Sequence, residues 1–220
     1  MAAWQKRSSF PRLNAIVDVD VAERAGWSAV RLSKAYLNAG VRFLQLRAKL
    51  IDSRQFLDLV EAVVDIGRPY GATIIVNDRA DIARLADASG VHVGQHDLSP
   101  TQVRPLVGED RVVGLSTHNL EQLQRAFTEP VSYVAIGPVF ATSSKAAPDP
   151  VIGLDIVKEA STRVIPMGLP LVAIGGITLE TAGAVIESGA SSVAVISDLL
   201  RTGDPESRAR AYLATLEEGA

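Results

Sequence analysis

Three times in this chain a glycine stands between the end of a helical apolar stripe and the start of a strand-like run: Ala39-Gly40-Val41, Ser89-Gly90-Val91 and Ser188-Gly189-Ala190. Glycine at that place closes a helix and releases the chain into a strand, so the sequence is punctuated as a repeated strand-then-helix unit. Reading the apolar runs between such marks yields strands at 13–19, 41–46, 73–76, 91–93, 111–115, 131–136, 171–174 and 192–195, each followed by a helical pattern. Open doubly wound sheets obey the same local grammar. Eight regular units in 220 residues favour closure, and the expected fold is a single-domain (β/α)8 TIM barrel over residues 12–220, preceded by an arm over 1–11.

Helix starts support this division. Ser28 precedes a helix that Gly40 stops, and Asp52 with Gln55 has the spacing of a capping box. Ser99-Pro100-Thr101-Gln102 combines an N-cap serine, proline at the first helical position and glutamine at the third.

The stretch 73–97 carries the first chemical hint. Two β-branched runs flank one crossover helix, so the strands are parallel neighbours whose C-terminal ends lie on one side. Asn77 and Asp78 follow the first run, and Gln95 and Asp97 follow the second. Two hard carboxylates with no thiol nearby suit Mg²⁺ better than zinc. Each also has an ordinary local alternative, Asp78 as a cap of the following helix and Asp97 as a turn residue.

In barrels of this kind the active site is assembled from the loops after the strands. Gln45, Arg47 and Lys49 share one face if the second strand stays extended past its end. Ser116 and His118 end the fifth strand. Thr142, Ser143, Ser144 and Lys145 lie in the irregular segment 140–152, whose length marks it as functional or mobile, and 146–151 is expected to be a lid that orders on substrate. Gly175-Gly176 and Ile196-Ser197 precede helices after strands seven and eight, where barrels commonly bind phosphate through backbone N–H groups. Cations and carboxylates converging on one mouth suggest a phosphorylated substrate bridged by a metal. His92 and His96 have the spacing of a helical zinc pair, but Gly94 and the β-branched neighbours argue for strand and turn, which leaves His92 as a satisfied pocket-wall residue. His118 is either a base or a helix-start residue.

Composition narrows the field further. A net charge of −3 and a pI near 5.7, with basic residues scattered, provide no field for nucleic acid. No apolar run is long enough to span a bilayer and the polar start lacks a signal core, so a cytoplasmic location is expected. The absence of cysteine excludes disulfides, thiolate zinc sites and cysteine nucleophiles. Self-association is left open.

Taken together, QLRAK at 45–49, VND at 76–78, GVHVGQHD at 90–97, GLSTH at 114–118, GPVFATSSK at 137–145 and AIGGIT at 173–178 resemble the thiamine phosphate synthase family, and the resemblance covers nearly the whole chain. It implies a transferase joining 4-amino-2-methyl-5-(diphosphooxymethyl)pyrimidine to thiazole phosphate, with pyrophosphate released through a Mg²⁺-assisted dissociative substitution. It further implies that Gln45, Arg47, Lys49, Asn77, Ser116 and Lys145 hold the pyrimidine diphosphate, with Arg47, Lys49, Ser116 and Lys145 catalytic. Asp78 and Asp97 would bind Mg²⁺. Thr142, Ser143, Ser144, Gly176, Ile196 and Ser197 would bind the thiazole phosphate. The chain departs from the family pattern at Asn14, where tyrosine is common, at Ala48, where glutamate is frequent, and at Ser144, where threonine is usual. The competing readings are a thiazole tautomerase on the same barrel, using His118 as proton carrier, and a non-catalytic phosphate-binding barrel.

Overall fold

A computed structural model describes residues 10–142 and 149–218. Eight parallel strands close into a barrel in sequence order: β1 (Leu13–Asp18), β2 (Phe43–Arg47), β3 (Thr73–Asn77), β4 (Gly90–Val93), β5 (Val112–Thr117), β6 (Tyr133–Ile136), β7 (Leu171–Ile174) and β8 (Ser192–Val195). β8 returns to β1 with Leu13 opposite Val193, so no strand edge is left open. The helices between them are α1 (Val19–Arg24), α2 (Ala29–Ala39), α3 (Ser53–Gly67), α4 (Ala80–Leu85), α5 (Pro100–Val107), α6 (Leu120–Ala126), α7 (Gly153–Val164), α8 (Leu179–Glu187) and α9 (Pro205–Glu218).

Alternation along the strands sorts the apolar residues into two sets. Val17, Leu44, Leu46, Val76, Val91, Val113, Val134 and Val193 face outward and join helix residues such as Leu32, Phe56, Val60 and Leu123 in a continuous strand–helix core. Ile16, Phe43, Ile75, Val112, Tyr133, Ala135, Val172 and Ala194 fill the lumen. Phe10 closes that lumen at the N-terminal end, its ring 5.2 Å from Phe43 and 5.7 Å from Tyr133. The barrel is therefore solid below, and open chemistry is confined to the other end.

Helix starts follow local hydrogen bonding. Ser28 caps α2, while Asp52 with Gln55 and Ser99 with Gln102 form reciprocal boxes on α3 and α5. Of the three glycine marks, Gly40 (φ 110°) and Gly189 (φ 98°) adopt the left-handed turn. Gly90 serves differently: it lies inside β4, where a Cβ would overlap the backbone carbonyl of Val112, and the left-handed turn before it falls on Asp87 (φ 53°). β2, β5 and β6 begin one or two residues later than the apolar runs suggest, because Val41 N–H is still held by the carbonyl of Tyr36 and Ser132 N–H by that of Val113. α1 was not apparent in the sequence pattern, and Leu85 is 67% exposed because α4 is a short helix with only one buried side.

Candidate active site

The C-terminal ends of β1 to β5 gather the ionisable and polar groups. Asp18 ends β1 opposite Arg47 in the strand register. One oxygen accepts from Val21 N–H at 3.0 Å, capping α1, and the other pairs with the Arg47 guanidinium. Asp18 is buried and Arg47 is partly exposed, so the carboxylate fixes the guanidinium at the rim, with its other N–H groups unpaired among the described residues. Asp18 is a site residue that the sequence reading did not single out; its signal is a strand-end carboxylate directly across from an arginine.

Below Arg47 on the same face, Gln45 is buried. Lys49 lies just past the end of β2 and ion-pairs with Asp78. Asp78 has a left-handed backbone (φ 64°) and donates its N–H to the carbonyl of His92 at 2.8 Å. This turn excludes the capping alternative: the residue at the start of α4 is Arg79, and no side chain caps that helix. Burial pushes the Asp78 carboxyl above its ordinary range, and a hydrogen bond and repulsion from Asp97 push the same way against the pull of Lys49. Asp97 also accepts from Gly94 N–H at 2.8 Å, so it does hold a turn while presenting its carboxyl group to Asp78.

Two carboxyl groups in contact are a hard-oxygen donor pair that repel when both are ionised, and a divalent cation relieves that repulsion. No cluster of three or more acidic or histidine ligands occurs among the described residues. A site with two protein carboxylates fits Mg²⁺, which keeps waters and substrate phosphates as its other ligands, better than a caged cation.

At β4 and β5, His92 is buried with both ring nitrogens in contact: Nδ1 lies 2.8 Å from the Tyr133 hydroxyl and Nε2 lies 2.8 Å from Ser116 Oγ. This is the satisfied pocket wall expected of it. Gln95 donates from Nε2 to the carbonyl of Ser116 at 2.7 Å, tying the loop after β4 to the end of β5. Asn77 ends β3 beside His92. His118 donates from Nδ1 to the carbonyl of Gly137 at 2.7 Å, with an Asp149 oxygen at 3.4 Å from the same nitrogen. It joins the fifth strand to the loop after β6.

Among the described residues, the other side of the mouth is formed largely by glycine and backbone. Gly175 (φ 100°) and Gly176 (φ 64°) end β7 in a conformation that disfavours side chains, and a Cβ on either would overlap the segment 138–141. That segment is laced to β7 by Val139 N–H to the carbonyl of Ile174 at 2.9 Å and Phe140 N–H to that of Gly175 at 3.0 Å. Close backbone approach is thus one reason for both glycines. Ile196 and Ser197 follow β8, and the next residue, Asp198, is buried. Its Oδ2 accepts from Arg208 Nη2 at 2.7 Å, Tyr212 Oη at 2.6 Å and Leu179 N–H at 3.2 Å, which locks the turn after β8 to the start of α8 and to α9. Thr142 lies at the edge of this half. Ser143, Ser144 and Lys145, and residues 146–148 of the expected lid, lie outside the described residues.

A closed barrel whose strand ends pair cations with carboxylates on one side and expose glycine backbone on the other defines a TIM-barrel enzyme. The model of the family described as thiamine monophosphate synthase matches residues 14–199. The thiamine-phosphate synthase of Koribacter versatilis is 47% identical over 94% of this chain and 96% of its own length. That of Roseiflexus sp. is 39% identical over 94% of this chain and 87% of its own length. Among solved structures, thiamine phosphate pyrophosphorylase from Pyrococcus furiosus superposes with a TM-score of 0.84 at 26% identity, covering 94% of this chain and 96% of that one. The chain belongs to the thiamine monophosphate synthase family. Its activity is that of a thiamine-phosphate synthase, a transferase of thiamine biosynthesis. Among the described residues no helix is long and apolar enough to cross a membrane.

Proposed function

We propose that the chain joins 4-amino-2-methyl-5-(diphosphooxymethyl)pyrimidine to thiazole phosphate, with Gln45, Arg47, Lys49, Asn77, Ser116 and Lys145 on the pyrimidine diphosphate and Thr142, Ser143, Ser144, Gly176, Ile196 and Ser197 on the thiazole phosphate. The observation that carries this division is the contact of Lys49, Asp78 and Asp97 at the ends of β2 to β4, a charge cluster with no structural helix to cap.

Asp78 and Asp97 would hold Mg²⁺ in this reading, and the chemistry it would supply is neutralisation of negative charge on the departing diphosphate. Arg47, steadied by Asp18, and Lys49 neutralise the negative charge that grows on the leaving oxygen as the C–O bond to the pyrimidine methylene breaks. Such contacts strengthen in the transition state, so they act on turnover more than on substrate affinity. The thiazole nitrogen then captures the electron-deficient methylene. It needs no general base, because the attacking lone pair carries no proton. The glycine side anchors the thiazole phosphate and holds that nitrogen in line, a gain in orientation that replaces a bimolecular encounter. The catalytic barrel runs over 12–220 in this reading, with Phe10 plugging its floor, and the enzyme works in the cytoplasm on small molecules.

The test is the joint appearance of pyrophosphate and thiamine phosphate from the two substrates. Both products are expected in equal amounts, with Mg²⁺ and not with chelator. Pyrophosphate formed without thiazole phosphate at the full rate, or product formed equally well in chelator, would contradict the assignment.

A further inference from the structure

Histidine bridging a serine hydroxyl and a third group is the outline of a nucleophile–base pair. Here the third group is Tyr133 and not a carboxylate, and that reverses the direction of the protons. The Tyr133 ring is enclosed at the lumen floor by Phe10 and Phe43, and it stacks on the imidazole of His92 with centroids 5.4 Å apart at 24°. Burial raises the Tyr133 phenol far above its ordinary range, so it keeps its proton at every working pH. A buried O–H left without an acceptor is costly, and among the described residues the acceptor that it reaches is Nδ1 of His92. A neutral imidazole that accepts at Nδ1 carries its proton on Nε2. That nitrogen faces Ser116 Oγ at 2.8 Å and therefore donates to it. Gly114, two residues before Ser116 on the same face of β5, leaves the room: a Cβ there would overlap both the Tyr133 phenol and His92 Nδ1.

We infer that the chain Tyr133, His92, Ser116 is a one-way hydrogen-bond relay that compels Ser116 to present its own O–H outward as a donor, to an acceptor atom of the diphosphate substrate. With its Nε2 already protonated and donating to one of the two lone pairs of Ser116 Oγ, His92 cannot take the serine proton, and Ser116 has no base to make it a nucleophile. Tyr133 and His92 are positioning residues, and Ser116 alone touches substrate. The inference rests on the functional reading above for the identity of the acceptor, but the proton polarity does not depend on it.

The test reads the two separately. In protein carrying ¹⁵N-histidine, long-range nitrogen–proton correlation spectra report which ring nitrogen bears the proton, with His92 assigned by removing His96 and His118 in turn. The wild type is expected to show His92 as the Nε2–H tautomer, and Tyr133→Phe to shift it toward Nδ1–H. With that shift, turnover is expected to fall roughly 3- to 10-fold, the worth of one hydrogen bond, with KM for both substrates changed less than 2-fold. An Nδ1–H tautomer in the wild type overturns the inference, and so does a Tyr133→Phe variant whose tautomer stays put or whose turnover stays at the wild-type value. A thermal melt accompanies the variant; should it not fold, the wild-type tautomer decides alone. If the wild type forms no thiamine phosphate, the functional reading fails and the tautomer still judges the relay.

Discussion

Between β1 and β4 the mouth of the barrel is furnished with side chains that pair charge, Asp18 with Arg47 and Lys49 with Asp78 beside Asp97, whereas among the described residues between β6 and β8 it is furnished with backbone at Gly175 and Gly176 and a turn clamped from beneath by Asp198. In the proposed assignment the first half handles charge that changes during the reaction, and charged side chains held in place by their partners suit that task. In the same assignment the second half holds a phosphate whose charge stays constant, and a fixed array of N–H groups suits it better. That assignment separates electrostatic work from positional work on one rim. Substitutions in the two halves should separate turnover from affinity.

The largest effect is expected from Arg47→Ala, which should reduce turnover by roughly 10²–10³-fold with little change in KM for thiazole phosphate. Asp18 is then left buried without its partner, so steady-state kinetics need a thermal melt beside them. A fall in thiazole phosphate affinity equal to the fall in turnover would erase the division between the halves.

On the other side, Asp198→Ala removes the acceptor shared by Arg208, Tyr212 and the start of α8. Breaking a buried pair costs about 3–5 kcal/mol, and Glu180, which also contacts Arg208, places this case near the low end. Chemical denaturation should report that loss, and the folded fraction should bind thiazole phosphate more weakly while retaining turnover at saturation. Gly176→Ala is smaller, costing about 1–3 kcal/mol from a left-handed backbone and overlap with Ala141, and it should raise KM for thiazole phosphate before it touches turnover.

The smallest effect is one of pH. Glu180, in the first turn of α8, is held from its ordinary 4.5 down to about 2 by the Thr178 hydroxyl, its own backbone N–H and Arg208. A depressed folded value contributes stability that is present above 4.5 and is lost as pH falls toward 2. Glu180→Gln should therefore lower the melting temperature slightly at pH 7 to 8, where the wild type holds this contribution, and the two melting temperatures should converge as pH falls toward 2.

The barrel itself was legible because strand cores are β-branched and helix starts carry their caps in the sequence: Ser28, the Asp52–Gln55 box and the Ser99–Gln102 box all act as their residue types predict. Asn77, Asp78, Asp97 and Ser116 were legible as strand-end residues for the same reason, since a parallel barrel brings every strand end to one rim. Partnerships across the barrel were not. That Asp18 serves Arg47, or that Tyr133 reaches His92 from the floor, depends on strand stagger, which no local pattern encodes. The αL turn at Asp78 was also hidden, because Asp before a helix reads first as a cap.

The most direct test of the division is a Mg²⁺ titration of turnover in wild type and Asp97→Asn, a change that keeps an acceptor for Gly94 N–H and removes the charge facing Asp78. The Mg²⁺ concentration for half-maximal rate should rise on the order of 10-fold or more, with KM for thiazole phosphate unchanged. Superimposable Mg²⁺ curves for the two proteins would contradict the account, because the carboxylates at the ends of β3 and β4 would then have no part in holding the ion.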